Sequence, residues 1–174
     1  SKESKRVNPE LQSKLNEFNR SNLDGTLDLS SMNLIDEDIH LIVQQIFRNE
    51  KKKCLRLVLR DNALTSVGVK LLVDQFLLSP INLKNLGLSG NVRIGAAGID
   101  HLARLFLQNQ SITLLALHNT GLTDRGMTKL AQSLCPTNAE SIYPLEKLYI
   151  SFNKSITDQS LEVLERILRE NHKL

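Results

Sequence analysis

A short motif of paired aliphatic residues occurs five times in the chain at a nearly constant interval, and this periodicity constrains the fold more than any other feature. The second aliphatic residues of the motifs lie 30, 29, 29 and 33 positions apart. A period of about 20–50 residues is typical of stacked structural units, because one unit cannot bury its apolar side alone. We number the five segments repeat 1 to repeat 5; their second aliphatic residues are Leu29, Leu59, Leu88, Leu117 and Ile150.

Each motif is followed by a segment whose apolar residues recur at helical spacing. A glycine lies four positions after the last aliphatic residue of the motif in repeats 2, 3 and 4, at Gly68, Gly98 and Gly126. The sequence therefore predicts that every unit consists of a short strand, a turn and an amphipathic helix. In repeat 3 the apolar helical positions are Ile99, Leu102, Ala103, Leu105 and Phe106.

A polar residue ends the predicted strand in four of the five repeats, three positions after the second aliphatic residue. An asparagine side chain both donates and accepts hydrogen bonds, so it can satisfy backbone groups where the chain turns. Met32 stands at this position in repeat 1 and cannot do so, which predicts a looser turn there. We expect the other four to stack as a structural ladder: Asn62, Asn91, Thr120 and Asn153.

The pattern LxxLxLxxNxL, with a period near 29 and a helix in each unit, resembles the ribonuclease-inhibitor-like class of leucine-rich repeats over about residues 23–174. The resemblance implies an α/β fold, a right-handed solenoid bent into a horseshoe arc of about five strand–turn–helix repeats. A parallel sheet would line its concave face and helices its convex face. The class includes repeat regions of NOD-like receptors, Ran GTPase-activating proteins and tropomodulins, so the resemblance specifies fold far better than function.

The two ends of the repeat array differ. Residues 1–22 are interpreted as an N-terminal tail and a capping helix over residues 8–18, with Asn8 as its N-cap. A docking helix for a partner is the alternative. Leu174 lies where a sixth strand would begin, so residues 23–174 are expected either to be part of a longer array or to have an end that a partner covers. We expect a monomer, with an end-to-end dimer as the alternative.

Motifs for catalysis are not found. The sequence has no phosphate-binding loop, no nucleophile elbow and no HExxH motif, so we expect no enzyme activity, no cofactor and no metal. The carboxylates of Asp36, Asp38, Asp124 and Asp158 precede or begin helices and are interpreted as capping groups, with a calcium site as the alternative. Cys54 is expected to be a small buried apolar residue, and Cys135 is expected to lie accessible in a long loop.

Charge and hydropathy narrow the classes of partner. The net charge is +3, and neither half of the chain is strongly basic, which argues against nucleic acid. The longest apolar runs are a few residues, against about 20 needed to span a bilayer, so no membrane is expected. Only two cysteines are present, far apart, which favours a reducing compartment and a cytoplasmic location.

Side chains alternate along a strand, so the residues between and after the inward aliphatics should face the concave surface. Small Gly87 and Ala116 should leave a depression there, between Arg60 and Tyr149. The favoured function is a protein-interaction module that binds a partner protein on this face; a GTPase-activating or actin-capping-like domain is the alternative. A solvated face, with binding elsewhere, also remains open. The predicted contact residues are Arg60, Asp61, Ser89, His118, Tyr149, Ser151 and Phe152.

Overall fold

The computed structural model of the protein describes residues 8–21, 24–48, 54–79, 81–135 and 144–174. Across these residues, five short strands alternate with six helices, and a 3-10 turn at Asp158–Ser160 precedes the last helix. The helices are α1 (Pro9–Ser21), α2 (Asp38–Arg48), α3 (Ser66–Leu78), α4 (Gly95–Phe106), α5 (Asp124–Leu134) and α6 (Leu161–Glu170). The strands are β1 (Thr26–Asp28), β2 (Arg56–Val58), β3 (Asn85–Gly87), β4 (Leu114–Ala116) and β5 (Lys147–Tyr149).

The five strands form one parallel sheet in which each strand pairs with its neighbours in sequence, in the order β1-β2-β3-β4-β5. The pairing register aligns the central leucine of every strand: Leu27, Leu57, Leu86, Leu115 and Leu148. The chain is therefore an α/β protein in which strand and helix alternate, and the predicted order of elements is confirmed.

The apolar core lies beneath the sheet and between it and the helices. In repeats 1 to 4 the paired leucines of each strand are almost fully buried. Leu148 and Ile150, at the same positions in repeat 5, are only partly buried. Both β1 and β5 have one neighbouring strand among the described residues, but helix α1 also contacts β1, which accounts for the deeper burial of Leu27 and Leu29.

Helix α1 begins where the sequence predicts. The side-chain oxygen of Asn8 accepts a hydrogen bond from the Leu11 backbone N–H at 3.0 Å, which makes Asn8 the N-cap. Leu11, Leu15 and Phe18 are buried in the core. The helix continues to Ser21, three residues beyond the predicted end.

The predicted role of the carboxylates needs correction. Threonine hydroxyls cap α3 and α5, since Thr65 accepts from the Val67 N–H and Thr123 accepts from the Gly126 N–H. The Asp36 carboxylate instead accepts from the backbone N–H and hydroxyl of Thr65 in the next repeat. A Cβ on Gly68 would lie 2.3 Å from an Asp36 oxygen, so only glycine fits beside this contact.

Asp124 repeats this arrangement between repeats 4 and 5. Its carboxylate accepts from the Thr157 backbone N–H at 2.9 Å and from the Thr157 hydroxyl at 2.7 Å. The Ser160 hydroxyl donates to it at 2.5 Å. Asp38 acts locally, because its carboxylate accepts from the Ile35 backbone N–H at 2.9 Å, next to the start of α2. Asp36 and Asp124 therefore join adjacent repeats, which is a different role from capping their own helices.

The expectation that Cys135 is accessible is wrong. Its relative exposure is 1% because it follows Met127, Leu130, Ala131 and Leu134 on the buried side of α5. Burial raises the pKa of the Cys135 thiol, and burial raises that of Cys54 to about 12. The rest of the predicted long loop, residues 136–143, lies outside the described residues.

Candidate functional site

A ladder of side-chain hydrogen bonds holds the carboxyl ends of the strands together. The Asn62 amide nitrogen donates to the carbonyl oxygens of Leu29 and Leu59, in two successive repeats. Asn91 bridges Leu59 and Leu88 in the same way, at 2.9 and 2.7 Å. Asn153 bridges Leu117 and Ile150, at 2.8 and 2.7 Å. Each asparagine therefore fixes its own strand end against the strand end of the preceding repeat.

The two positions without asparagine behave differently. The Thr120 hydroxyl donates to the Leu117 carbonyl within its own repeat, at 3.0 Å, and among the described residues it makes no bridge to the preceding repeat. At Met32 the predicted loose turn is not found. The Asn62 side-chain oxygen accepts from the backbone N–H groups of Met32 and Leu34, both at 3.0 Å. The turn of repeat 1 is thus held by repeat 2, and Met32 itself packs into the core.

The residue before each ladder position has a left-handed backbone conformation in all five repeats. The φ angles are 56° at Ser31, 54° at Asp61, 79° at Gly90, 49° at Asn119 and 61° at Phe152. Glycine, asparagine and aspartate tolerate this region, whereas a bulky side chain rarely adopts it. These residues lie in the turn at the carboxyl ends of the strands. Phe152 adopts the left-handed conformation at an energetic cost, because its side chain is bulky.

A groove of about 460 Å³ lies over the ends of β2 to β5. Six of the seven predicted contact residues line it: Arg60, Asp61, Ser89, His118, Tyr149 and Phe152. Ser151 is not in the lining but contacts it through His118. The predicted depression is present, because Gly87 and Ala116 line the groove between its larger side chains. Val58, Gly90 and Asn119 complete it.

Neighbouring side chains hold His118 in place at the centre of the groove. Its backbone N–H donates to the Ser89 hydroxyl at 3.2 Å, and its Nδ1 forms a short hydrogen bond with the Ser151 hydroxyl. The imidazole also packs on the Tyr149 ring, with centroids 5.4 Å apart and planes tilted by 39°. His118 and Tyr149 therefore form one preassembled aromatic unit.

The two ends of the groove differ in chemistry. At the β2 end, Arg60 Nε donates to the Asp61 carboxylate at 2.9 Å, and both side chains are largely exposed. At the β5 end, Tyr149 is 42% exposed and Phe152 is 80% exposed. The groove thus carries a charged pair at one side and an aromatic surface at the other.

Gly90 is a groove residue that sequence reasoning missed. The sequence motif could have predicted its position, because Gly90 aligns with Asp61 and Asn119, the residues just before the ladder position in repeats 2 and 4. A Cβ on Gly90 would lie 2.1 Å from an Asp61 side-chain oxygen. Glycine there lets the Asp61 side chain lie over the neighbouring turn, which keeps Asp61 beside Arg60.

No group of histidine, cysteine and acidic residues that could hold a metal ion occurs within the described residues. Among the same residues, no helix is long and apolar enough to cross a membrane. A scan of the sequence against protein-family models gives no match, and a search of curated proteins finds no significant relative.

Proposed function

We propose that the protein is a leucine-rich-repeat solenoid of the ribonuclease-inhibitor-like class, and that it serves as a protein-interaction module. The period near 29, the in-register leucines and the asparagine ladder support the architecture. On this proposal the groove lies on the concave face of the arc. The module works inside the cell, in keeping with two free, buried cysteines.

The observation that carries the binding proposal is the exposure of Tyr149 and Phe152 at the rim of a preformed groove. Single exposed apolar side chains are common on protein surfaces, whereas two exposed aromatic side chains that line the same concavity are typical of interaction sites. Tyrosine and arginine are enriched among residues that dominate binding energy. Arg60, Tyr149 and Phe152 therefore form the expected centre of the contact.

The left-handed Phe152 adds to this argument. Strained backbone conformations cluster at functional positions, because stability alone would select against them. Three of the four equivalent positions hold residue types that tolerate the conformation, namely Asp61, Gly90 and Asn119, and the fourth holds the small Ser31. A partner that buries the Phe152 ring would offset the cost of holding it there.

The test is a pull-down from a cell lysate that compares the native protein with an Arg60→Ala/Tyr149→Ala double variant, read by mass spectrometry. Arg125→Ala/Leu168→Ala is the matched control, since it removes an exposed arginine and an exposed apolar residue from α5 and α6. A partner held by native and control proteins but lost from the groove variant supports the proposal. A partner held equally by all three contradicts it.

A further inference from the structure

We propose that the groove recognises an extended peptide segment that carries a carboxylate and a large apolar side chain about four residues apart. This inference rests on the proposed function, and it names the chemistry of the partner. The carboxylate would bind at the Arg60 end of the groove and the apolar side chain at the Tyr149–Phe152 end.

The Arg60 end is built for a single anionic group. The Asp61 carboxylate binds Arg60 through Nε, which leaves both terminal amino groups without a hydrogen-bond partner among the described residues. These two groups can bind the two oxygens of a carboxylate side by side. Asp61 fixes the orientation of the guanidinium in advance, which lowers the entropy lost on binding.

The Arg60–Asp61 pair also favours an anion with a single negative charge. Asp61 lies against the guanidinium, so a doubly charged phosphate would meet its negative charge at close range. A carboxylate carries one charge and avoids half of that repulsion.

The opposite end takes an apolar group. The Phe152 ring is almost fully exposed, and the Tyr149 ring presents one side to the groove while His118 packs on it. Aromatic surfaces of this kind pair with aliphatic and aromatic side chains. The small floor at Gly87 and Ala116 leaves room for the connecting backbone between the two ends.

The spacing of the two anchors sets the length of the motif. Arg60 follows β2 and Tyr149 lies in β5, three strand spacings away. Strands lie about 4.8 Å apart, so the anchors are separated by about 14 Å. An extended peptide advances about 3.3 Å per residue, and about four residues cover this distance.

The experiment is a selection from a random-peptide display library on the immobilised protein, followed by affinity measurements on synthetic copies of the enriched peptides. We expect an acidic residue and a large apolar residue about four positions apart. Arg60→Gln should weaken binding about tenfold to a hundredfold, as should replacing the peptide acid by its amide. Arg125→Gln and Leu168→Ala, at exposed positions on α5 and α6, should leave affinity unchanged.

The outcomes separate this inference from the proposed function. Peptides that lose affinity with Tyr149→Ala and Phe152→Ala but not with Arg60→Gln would overturn the acidic motif and leave groove binding intact. Peptides that bind better with phosphoserine than with aspartate would overturn the choice of a carboxylate. Peptides indifferent to all three groove variants, or no enrichment at all, would overturn the inference, and the lysate pull-down would then decide the proposed function by itself.

Discussion

The side-chain nitrogen of Asn91 donates to the carbonyl oxygen of Leu59, 32 positions earlier in the chain, at 2.9 Å. The same nitrogen donates to Leu88 within its own repeat, and the side-chain oxygen accepts from the Leu64 N–H. Asn91 is fully buried, so water cannot replace these bonds. A single side chain therefore joins the turns of repeats 2 and 3.

Replacing this asparagine should destabilise the fold. Asn91→Ala leaves buried backbone groups unpaired and should lower the free energy of unfolding by about 1–3 kcal/mol. Asn91→Thr keeps a donor for the Leu88 carbonyl, as Thr120 does for Leu117, and should cost less. Urea unfolding of the two variants tests this order. Equal stability of the Ala variant and the native protein would contradict the ladder.

The buried leucine rows give a second prediction. Leu88 and Leu117 are completely buried, so Leu88→Ala or Leu117→Ala should cost about 2–5 kcal/mol of unfolding free energy. Leu148→Ala should cost less, because Leu148 is only partly buried at the outer strand. Thermal and urea unfolding measure the difference. A loss at Leu148 equal to that at Leu88 would contradict the burial described for repeat 5.

Phe152→Gly should stabilise the protein while it weakens partner binding. A left-handed conformation costs a residue with a side chain about 1–2 kcal/mol, and glycine avoids this cost. Glycine also loses more backbone entropy on folding, so we expect a net stabilisation of about 0.5–1 kcal/mol. Leu168→Gly is the control, since Leu168 is similarly exposed but helical, and this change should destabilise by about 1 kcal/mol. A destabilised Phe152→Gly variant would show that Phe152 is not strained.

Acid should weaken the contact between repeats 4 and 5. The pKa of Asp124 is lowered, first by the Ser160 hydroxyl and then by the N–H and hydroxyl of Thr157. The pKa of an aspartate in the unfolded chain is about 3.9. Because the pKa of Asp124 is lower in the folded protein, its carboxylate stabilises the fold at pH values above about 3.9, and this stabilisation is lost as the pH falls through the folded-state pKa. Unfolding free energy measured from neutral pH to about pH 3 should therefore fall less for Asp124→Asn than for the native protein.

Ser160→Ala provides the check on this pH dependence. It removes the strongest of the donors and should reduce the acid sensitivity in the same direction. Identical pH profiles for the native protein and both variants would contradict the assigned contact.

Both thiols should resist modification in the folded protein. Burial raises the pKa of each, and only the thiolate reacts rapidly. An aromatic disulfide reagent near neutral pH should label Cys54 and Cys135 slowly in the native state and rapidly after unfolding in urea. Rapid native-state labelling that Cys135→Ser abolishes would contradict the burial at the end of α5.

The structural features that recur in every repeat, such as the strand register, can be predicted from the sequence. The strand register follows from Leu57, Leu86 and Leu115, because a shift of one position would expose every leucine. The groove could be predicted for the same reason, since alternation alone puts Arg60, His118 and Tyr149 on one face. These inferences need only the period and the geometry of a strand.

Contacts between units were harder to predict. The motif locates Asp36 near a helix start, but its Thr65 partner lies 29 positions away in a loop of the next repeat. Local rules favour capping, and only the stacking of whole repeats brings the two residues together. The sequence predicts an accessible Cys135 because a loop-like segment follows it, although its spacing from Met127 and Ala131 fits the buried face of α5. The left-handed Phe152 follows from its alignment with Gly90 and Asn119, not from its own residue type.

The most direct test of the groove as a binding surface is hydrogen–deuterium exchange of the native protein with and without a captured partner. Binding in the groove predicts slower exchange in the strand-end segments 58–61, 87–90, 116–119 and 149–152, and no added protection in α3, α4 and α5. Protection confined to those helices, with the four strand-end segments unchanged, would contradict the account.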